Sequence, residues 1–233
     1  MAGRDLPTRA LLACGLAAGP VFVMTYVVDG RTRRHYQPRR HPVSALALGS
    51  RGWVQVANFL VTGPLTVAAA VGLGRVTRHG PGRAVMPAAV AAAGLGLIGA
   101  GLFATDPVPG YPDPASPAPA PRSAPGARRH RSSPAAVTRT GALHIASSVP
   151  FFVGFPVAEL AGAGRLARQG RRVGALLSAA AAVTGTAAVT VAGAGFAGKE
   201  GVADRAGTWQ RLSVVTAFSW LAAMSGRALA AAP

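Results

Sequence analysis

Six apolar stretches, separated by polar and arginine-containing segments, dominate the pattern of this chain. They cover residues 11–28, 54–73, 85–104, 142–161, 173–196 and 213–231. At a rise of 1.5 Å per residue, roughly 20 apolar residues cross the ~30 Å hydrocarbon core of a bilayer. The stretches lack the alternation of a transmembrane β-barrel strand. The pattern therefore predicts an all-α, polytopic helical bundle that forms a single integral membrane domain over residues 1–233.

The composition supports placement in a membrane. Only 13% of the residues are charged, against roughly 25% in soluble domains. Residues 95–104 and 175–197 are apolar or small on every side of a helix, whereas a soluble amphipathic helix keeps one polar face. The segment 107–138 differs, because it interleaves proline with alanine, serine and arginine. This composition predicts a flexible loop without a core of its own.

The net charge of +17 does not indicate a nucleic-acid partner. Nucleic-acid-binding proteins gather their basic residues on one face or helix, whereas the arginines of this chain lie between the spans. Arginines in that position contact anionic lipid headgroups, so we expect membrane lipids as partners and no nucleic acid. The single cysteine, Cys14, excludes an internal disulfide. The sequence leaves a homo-oligomer open and indicates no specific protein partner.

Loops two (74–84) and four (162–172) are short and rich in arginine. Short basic loops carry most of the signal that keeps positive charge on the cytoplasmic side. We therefore expect a multi-pass protein of the cell membrane with both termini in the cytoplasm. Loops one (29–53), three (the Pro/Arg-rich segment 107–138) and five (197–212) would then share the opposite face.

That face collects most of the polar side chains that could bind a ligand. Polar groups at the level of the membrane usually face the interior of the bundle. We therefore predict a polar site there for a lipid headgroup or a small amphiphile. The candidate ligand-binding residues are His41, Asn58, Asp106, His144 and Arg211.

An alternative is a membrane-embedded lipid-ester hydrolase. Ser44, His144 and Asp106 have the residue types of a catalytic triad, in which a base activates a hydroxyl and an acid orients the base. No nucleophile-elbow motif surrounds Ser44. The three residues equally suit structural roles, with Ser44 and Asp106 as caps and His144 as an interfacial hydrogen-bonding group. The sequence therefore leaves catalysis open and favours a non-enzymatic protein.

Neither a metal nor a cofactor is expected. Haem held between helices needs facing histidines within the spans, and His144 is the one histidine in a span. Zinc would need His41, His144 and Asp106 to converge. A small transporter is a further alternative, but the two halves show no clear repeat. Glu159 lies near the end of span four, where we expect water or Arg165 to reach it.

Two neighbouring runs resemble a known family. They are HPVSALALG at His41–Gly49 and GWVQVANF at Gly52–Phe59, which are similar to the central motif of a six-span prokaryotic family catalogued as domain of unknown function 998 (DUF998). Three shorter pieces resemble the family in order and placement: Phe103–Pro107, Gly141–His144 and Gln210–Arg211. The chain departs from the family in its long Pro/Arg segment after Asp106. The resemblance implies the six-helix fold and carries no settled activity.

Overall fold

The computed structural model of the protein describes residues 6–77, 79–80, 82–113 and 137–231. Within these ranges, six helices are long and apolar enough to cross a membrane. They are α1 (Leu6–Thr32), α2 (Gly52–Val76), α3 (Val85–Leu102), α4 (Arg139–Arg168), α5 (Arg172–Phe196) and α6 (Ala206–Ala230). The prediction of an all-α membrane bundle with six spans is confirmed. Most of the predicted flexible loop 107–138 lies outside the described residues.

Several helices are longer than the apolar stretches that predicted them. The helix α1 begins at Leu6 instead of residue 11, and α4 extends from Arg139 to Arg168. The extra turns carry arginines, whose long stems can lie along apolar surface while the charge stays in the headgroup region. Hydropathy marks the apolar core of a span and misses these polar ends.

The six helices form a closed ring. Each helix packs against the next one along the chain, and α6 packs against α1. The helix α6 also contacts α2 and α4 across the middle. Glycines permit the closest approaches. A Cβ at Gly94 would lie 2.8 Å from the carbonyl oxygen of Gly63, and one at Gly63 would lie equally close to the carbonyl oxygen of Gly94.

Aromatic rings fill the centre of the bundle. The ring of Phe218 on α6 lies 5.5 Å from Phe22 of α1, 5.6 Å from Phe151 and 5.7 Å from Phe155 of α4. Phe22 in turn contacts Phe59 of α2 at 5.6 Å. Such offset and edge contacts add to the energy of apolar burial. The rings join four helices midway between the two faces of the bundle.

Loop one closes one end of the ring. It contains a short 3₁₀ helix, Val43–Ala47, whose Ala45 and Leu46 are fully buried. Loop three adds a tight turn, in which Val108 and Tyr111 exchange two backbone hydrogen bonds. A second 3₁₀ helix, Ala203–Arg205, leads from loop five into α6. Loops one, three and five therefore share one face, as the even spacing of the spans predicts.

Candidate functional site

Arg211 fastens loop one to the first turns of α6. Its Nη1 donates to the backbone carbonyl oxygens of Pro38, of His41 at 3.1 Å and of Gly207 at 2.9 Å. A planar guanidinium presents five donors in a rigid fork, so one side chain can satisfy several carbonyl groups. Gly207 is required for this approach, because a Cβ there would lie 2.5 Å from the carbonyl oxygens of Pro38 and His41.

Two tyrosines surround the same guanidinium. Arg211 Nη2 donates to the hydroxyl oxygen of Tyr36, and the guanidinium carbon lies 5.5 Å from the ring centre of Tyr26 and 5.7 Å from that of Tyr36. The Tyr36 hydroxyl donates to the carbonyl oxygen of Pro42 at 3.1 Å. Burial raises the pKa of the Tyr36 phenol to about 12, and Arg211 offsets only part of this effect. Tyr36 therefore stays a neutral donor at physiological pH.

His41 joins loop one to loop three. Its Nδ1 accepts a hydrogen bond from the backbone N–H of Gln37 at 3.1 Å, and its Nε2 lies 3.0 Å from the carbonyl oxygen of Pro109. Because a backbone N–H can only donate, Nδ1 carries no proton and Nε2–H is the donor to Pro109. Burial lowers the pKa of His41; the bond to Pro109 opposes this shift, while Arg40 and Arg211 add to it.

This geometry predicts a loss of stability in acid. A protonated His41 cannot accept the Gln37 N–H, and the unfolded chain binds the proton more readily than the folded one. The stability contributed by neutral His41 is therefore complete well above the ordinary His pKa of about 6.5 and is lost as pH falls below it. Thermal unfolding from about pH 7.5 to about pH 5.5 should show the decline, and His41→Gln should flatten it. An equally steep decline in His41→Gln would assign it to another group.

Asp29 forms a second anchor at the end of α1. Its carboxylate accepts from Arg33 Nε at 3.1 and 3.2 Å, from Arg33 Nη2 at 3.0 Å and from Arg51 Nη2 at 2.9 Å. Arg33 also donates to the carbonyl oxygens of Leu46 at 2.9 Å and Leu48 at 3.3 Å. Asp29 is 2% exposed. This ion-pair group ties α1, the first 3₁₀ helix and the start of α2 together.

Asn58 belongs to a buried polar row on α2. Its Nδ2 donates to the carbonyl oxygen of Phe22 at 3.1 Å and to Gln55 Oε1 at 3.3 Å. The hydroxyl of Thr62 donates to Asn58 Oδ1 at 3.4 Å. These residues follow one another at helical spacing and face α1. Asn58 therefore lies inside the helix bundle, below the loops.

His144 caps the end of α3, and Asp106 holds Thr138, the N-cap residue of α4. Asp106 accepts from the Thr138 backbone N–H at 3.0 Å and from its hydroxyl at 2.6 Å, just before α4. His144 Nδ1 lies 3.0 Å from the carbonyl oxygens of both Ala100 and Phe103, at the end of α3. Capping groups of this kind satisfy backbone atoms that have no partner within the helix.

Ser44 lies half-buried inside the first 3₁₀ helix, which has Pro42 at its N-cap position. Within the described residues, no hydrogen bond joins Ser44, His144 and Asp106. The hydrolase alternative stays a prediction. Of the five predicted ligand-binding residues, the structure brings His41 and Arg211 into contact and places Asn58, Asp106 and His144 in separate hydrogen-bonded groups.

Beside the Arg211 anchor, loops one and five enclose a surface groove of about 640 Å³. The lining residues are Tyr36, Gln37, Pro38, Arg39, Arg40, Asp204 and Arg205. Arg40 Nε lies 3.2 Å from Asp204 Oδ1, and both side chains are largely exposed. Sequence reasoning missed this groove, because nothing in the arginine content of loop one distinguishes Arg39 from its neighbours. The pairing of loops one and five could be found only in the folded chain.

The fold and this polar face define a polytopic helical membrane protein. The sequence model of the family described as protein of unknown function (DUF998) matches residues 16–227. The chain belongs to this family, which confirms the resemblance seen in its motifs. No curated protein and no solved structure matches the chain.

Proposed function

We propose that the protein binds the anionic headgroup of a membrane lipid or small amphiphile at the face of loops one, three and five. The groove between loops one and five supports this proposal, because it brings three arginines against one aspartate. Arg39, Arg40 and Arg205 outweigh Asp204 there. Guanidinium groups bind phosphate through paired, charge-assisted hydrogen bonds. An anionic phosphate headgroup has the complementary charge and geometry.

Two of these arginines are available to a ligand. Arg40 is paired with Asp204, whereas the side chains of Arg39 and Arg205 are exposed and make no hydrogen bond to a described residue. Trp209, one turn into α6 and 37% exposed, suits the membrane–water interface, where tryptophan concentrates. The groove would then lie at the depth of the lipid headgroups.

The predicted ligand residues take different parts in this proposal. The side chains of Arg211 and His41 form hydrogen bonds to loop one and loop three. They therefore shape the groove and hold Tyr36 and Pro38 in its wall. Asn58, Asp106 and His144 keep the helix ends and the bundle interior in place beneath it. Direct contact with the headgroup would fall to Arg39 and Arg205.

The test compares two charge-matched double variants in lipid nanodiscs. Replacing phosphatidylcholine by phosphatidylglycerol should raise the melting temperature of the wild type. Arg39→Gln with Arg205→Gln should lose most of this rise, because both free guanidinium groups are gone. Arg31→Gln with Arg34→Gln, which removes two exposed arginines near the end of α1, should keep it. The rise should also shrink in high salt, as expected for exposed charges.

If both double variants lost the rise in melting temperature equally, the groove would not be the binding site. The general positive charge of this face would then explain the effect of phosphatidylglycerol. Inorganic phosphate added in phosphatidylcholine nanodiscs distinguishes the two sources of the anion. Stabilisation by free phosphate would indicate a soluble phosphorylated ligand, and stabilisation by phosphatidylglycerol alone would indicate a lipid.

A further inference from the structure

Glu159 is a buried carboxyl group, and one of its oxygens has no partner among the described residues. It lies on α4 and is 1% exposed, and its Oε2 makes no hydrogen bond within the described part of the chain. Asp29, the other fully buried acid of the described residues, is held by two arginines. A buried polar atom without a partner costs free energy and calls for an explanation. Glu159 plays no part in the proposed headgroup site, which lies at the opposite end of the bundle.

Apolar side chains pack against α4 close to Glu159. Phe155 lies one turn before Glu159 and Gly162 one turn after it, on the same buried side of the helix. A Cβ at Gly162 would lie 2.8 Å from Trp220 Cζ2 and 3.7 Å from the sulfur of Met86, so α3 and α6 cover this side closely.

The expectation that water or Arg165 reaches Glu159 is wrong. The structure buries the carboxyl group, and Arg165 Nη1 donates instead to the carbonyl oxygen of His79 at 2.6 Å. Packing against α3 and α6 excludes water from Glu159, and Arg165 is bound to a carbonyl oxygen of loop two.

The surroundings restrict what can bind to this carboxyl group. A bare carboxylate in the membrane interior is costly, and ionisable groups kept there commonly serve ion or proton pathways. A metal cation would need several oxygen, nitrogen or sulfur ligands, and the described residues contain no group of three His, Cys, Asp or Glu side chains that could hold one. A proton needs a single carboxyl oxygen. We propose that Glu159 is a proton-binding group that takes up and releases a proton inside the bundle.

The proton would exchange with the face of loops two and four. Glu159 lies nine residues before the end of α4 at Arg168, which is about 14 Å along the helix axis. The other end of α4 is more than twice as far. In that direction Phe155 contacts Phe151 and Phe218, so apolar rings lie between Glu159 and the opposite face.

Carbodiimide labelling tests the proposal, because these reagents react with protonated carboxyl groups. Membrane-soluble dicyclohexylcarbodiimide should modify Glu159 in the folded wild type, as located by peptide mass spectrometry. The modification should slow as the pH rises and be lost in Glu159→Gln. A water-soluble carbodiimide should leave Glu159 unmodified, because the side chain is buried. The melting temperature of Glu159→Gln should match that of the wild type, since glutamine resembles the protonated acid in shape.

Two results would overturn the proposal. Folded wild type that dicyclohexylcarbodiimide leaves unmodified at Glu159 at every pH would show that no exchangeable proton is held there. Equal modification by the water-soluble reagent would show that the group is an ordinary surface acid. In vesicles with different pH on the two sides, the rate of Glu159 modification should follow the pH on the side of loops two and four. A rate that follows the other side would refute the proposed direction of access. None of these results bears on the headgroup groove, whose variants leave α4 unchanged.

Discussion

Replacing Arg211 by glutamine is expected to destabilise the protein by about 3 kcal/mol, because several hydrogen bonds to a charged group are lost together. Arg211 serves the carbonyl oxygens of Pro38, His41 and Gly207 and the hydroxyl of Tyr36. A glutamine amide is too short and has too few donors to replace them. Loop one would lose its attachment to α6. The free energy of unfolding in detergent, from denaturant titration, measures the effect.

Lysine at the same position separates charge from geometry. Arg211→Lys keeps the positive charge but has a compact ammonium in place of the forked guanidinium. Its loss of unfolding free energy should therefore approach that of Arg211→Gln. Arg31→Gln is the control, because Arg31 is exposed at the end of α1 and surface changes usually stay within about 0.5 kcal/mol. A wild-type-like Arg211→Lys would show that charge alone suffices. Equal effects of Arg211→Gln and Arg31→Gln would refute the anchoring role.

Asp29→Asn is expected to cost about 3–5 kcal/mol, the range for removing one partner from a buried ion pair. The side chains of Asp29 and Arg33 are only 2% and 8% exposed. Without the carboxylate, the guanidinium of Arg33 stays buried without a counter-charge, and Arg51 loses its bond to α1. The measurement is again the free energy of unfolding, at neutral pH and moderate salt.

Asp204→Asn provides the matched control for this prediction. Asp204 also pairs with an arginine, but its side chain is 85% exposed and that of Arg40 is 48% exposed. Exposed pairs contribute about 0–1 kcal/mol. If both asparagine variants lost the same unfolding free energy, burial would not strengthen the Asp29 pair. The anchor at the end of α1 would then have to be assigned to backbone contacts.

The proposed site shows where sequence reasoning reached its limit. Arg211 and His41 were identified as polar residues of one face, and the fold brings them together. Their role as anchors depends on contacts between positions 170 or more residues apart, which no local pattern specifies. The headgroup groove depends on the same long-range contact, because Arg205 meets Arg39 and Arg40 only when loop five folds against loop one.

Glu159 shows the same limit from the opposite direction. Its position near the end of a span suggested access to water and to Arg165 along the same helix. Neighbouring helices reverse this expectation, since Glu159 is buried, α3 and α6 pack against α4 one turn away, and Arg165 donates to loop two. Burial is a property of the packed bundle. Helical spacing places Glu159 on a line with Phe155 and Gly162, and only the packed neighbours show what that line faces.

The number of spans, their helical nature and the sharing of one face by loops one, three and five were all predictable from the order of amino acids. The reason is that a bilayer imposes its thickness and its lack of hydrogen-bonding partners on each segment separately. Folding of the whole chain was needed to bury Glu159, to direct Arg211 onto loop one and to form the groove between loops one and five. Each of these features depends on contacts between helices and loops that are distant in the chain. The pattern of apolar residues along the chain does not specify such contacts.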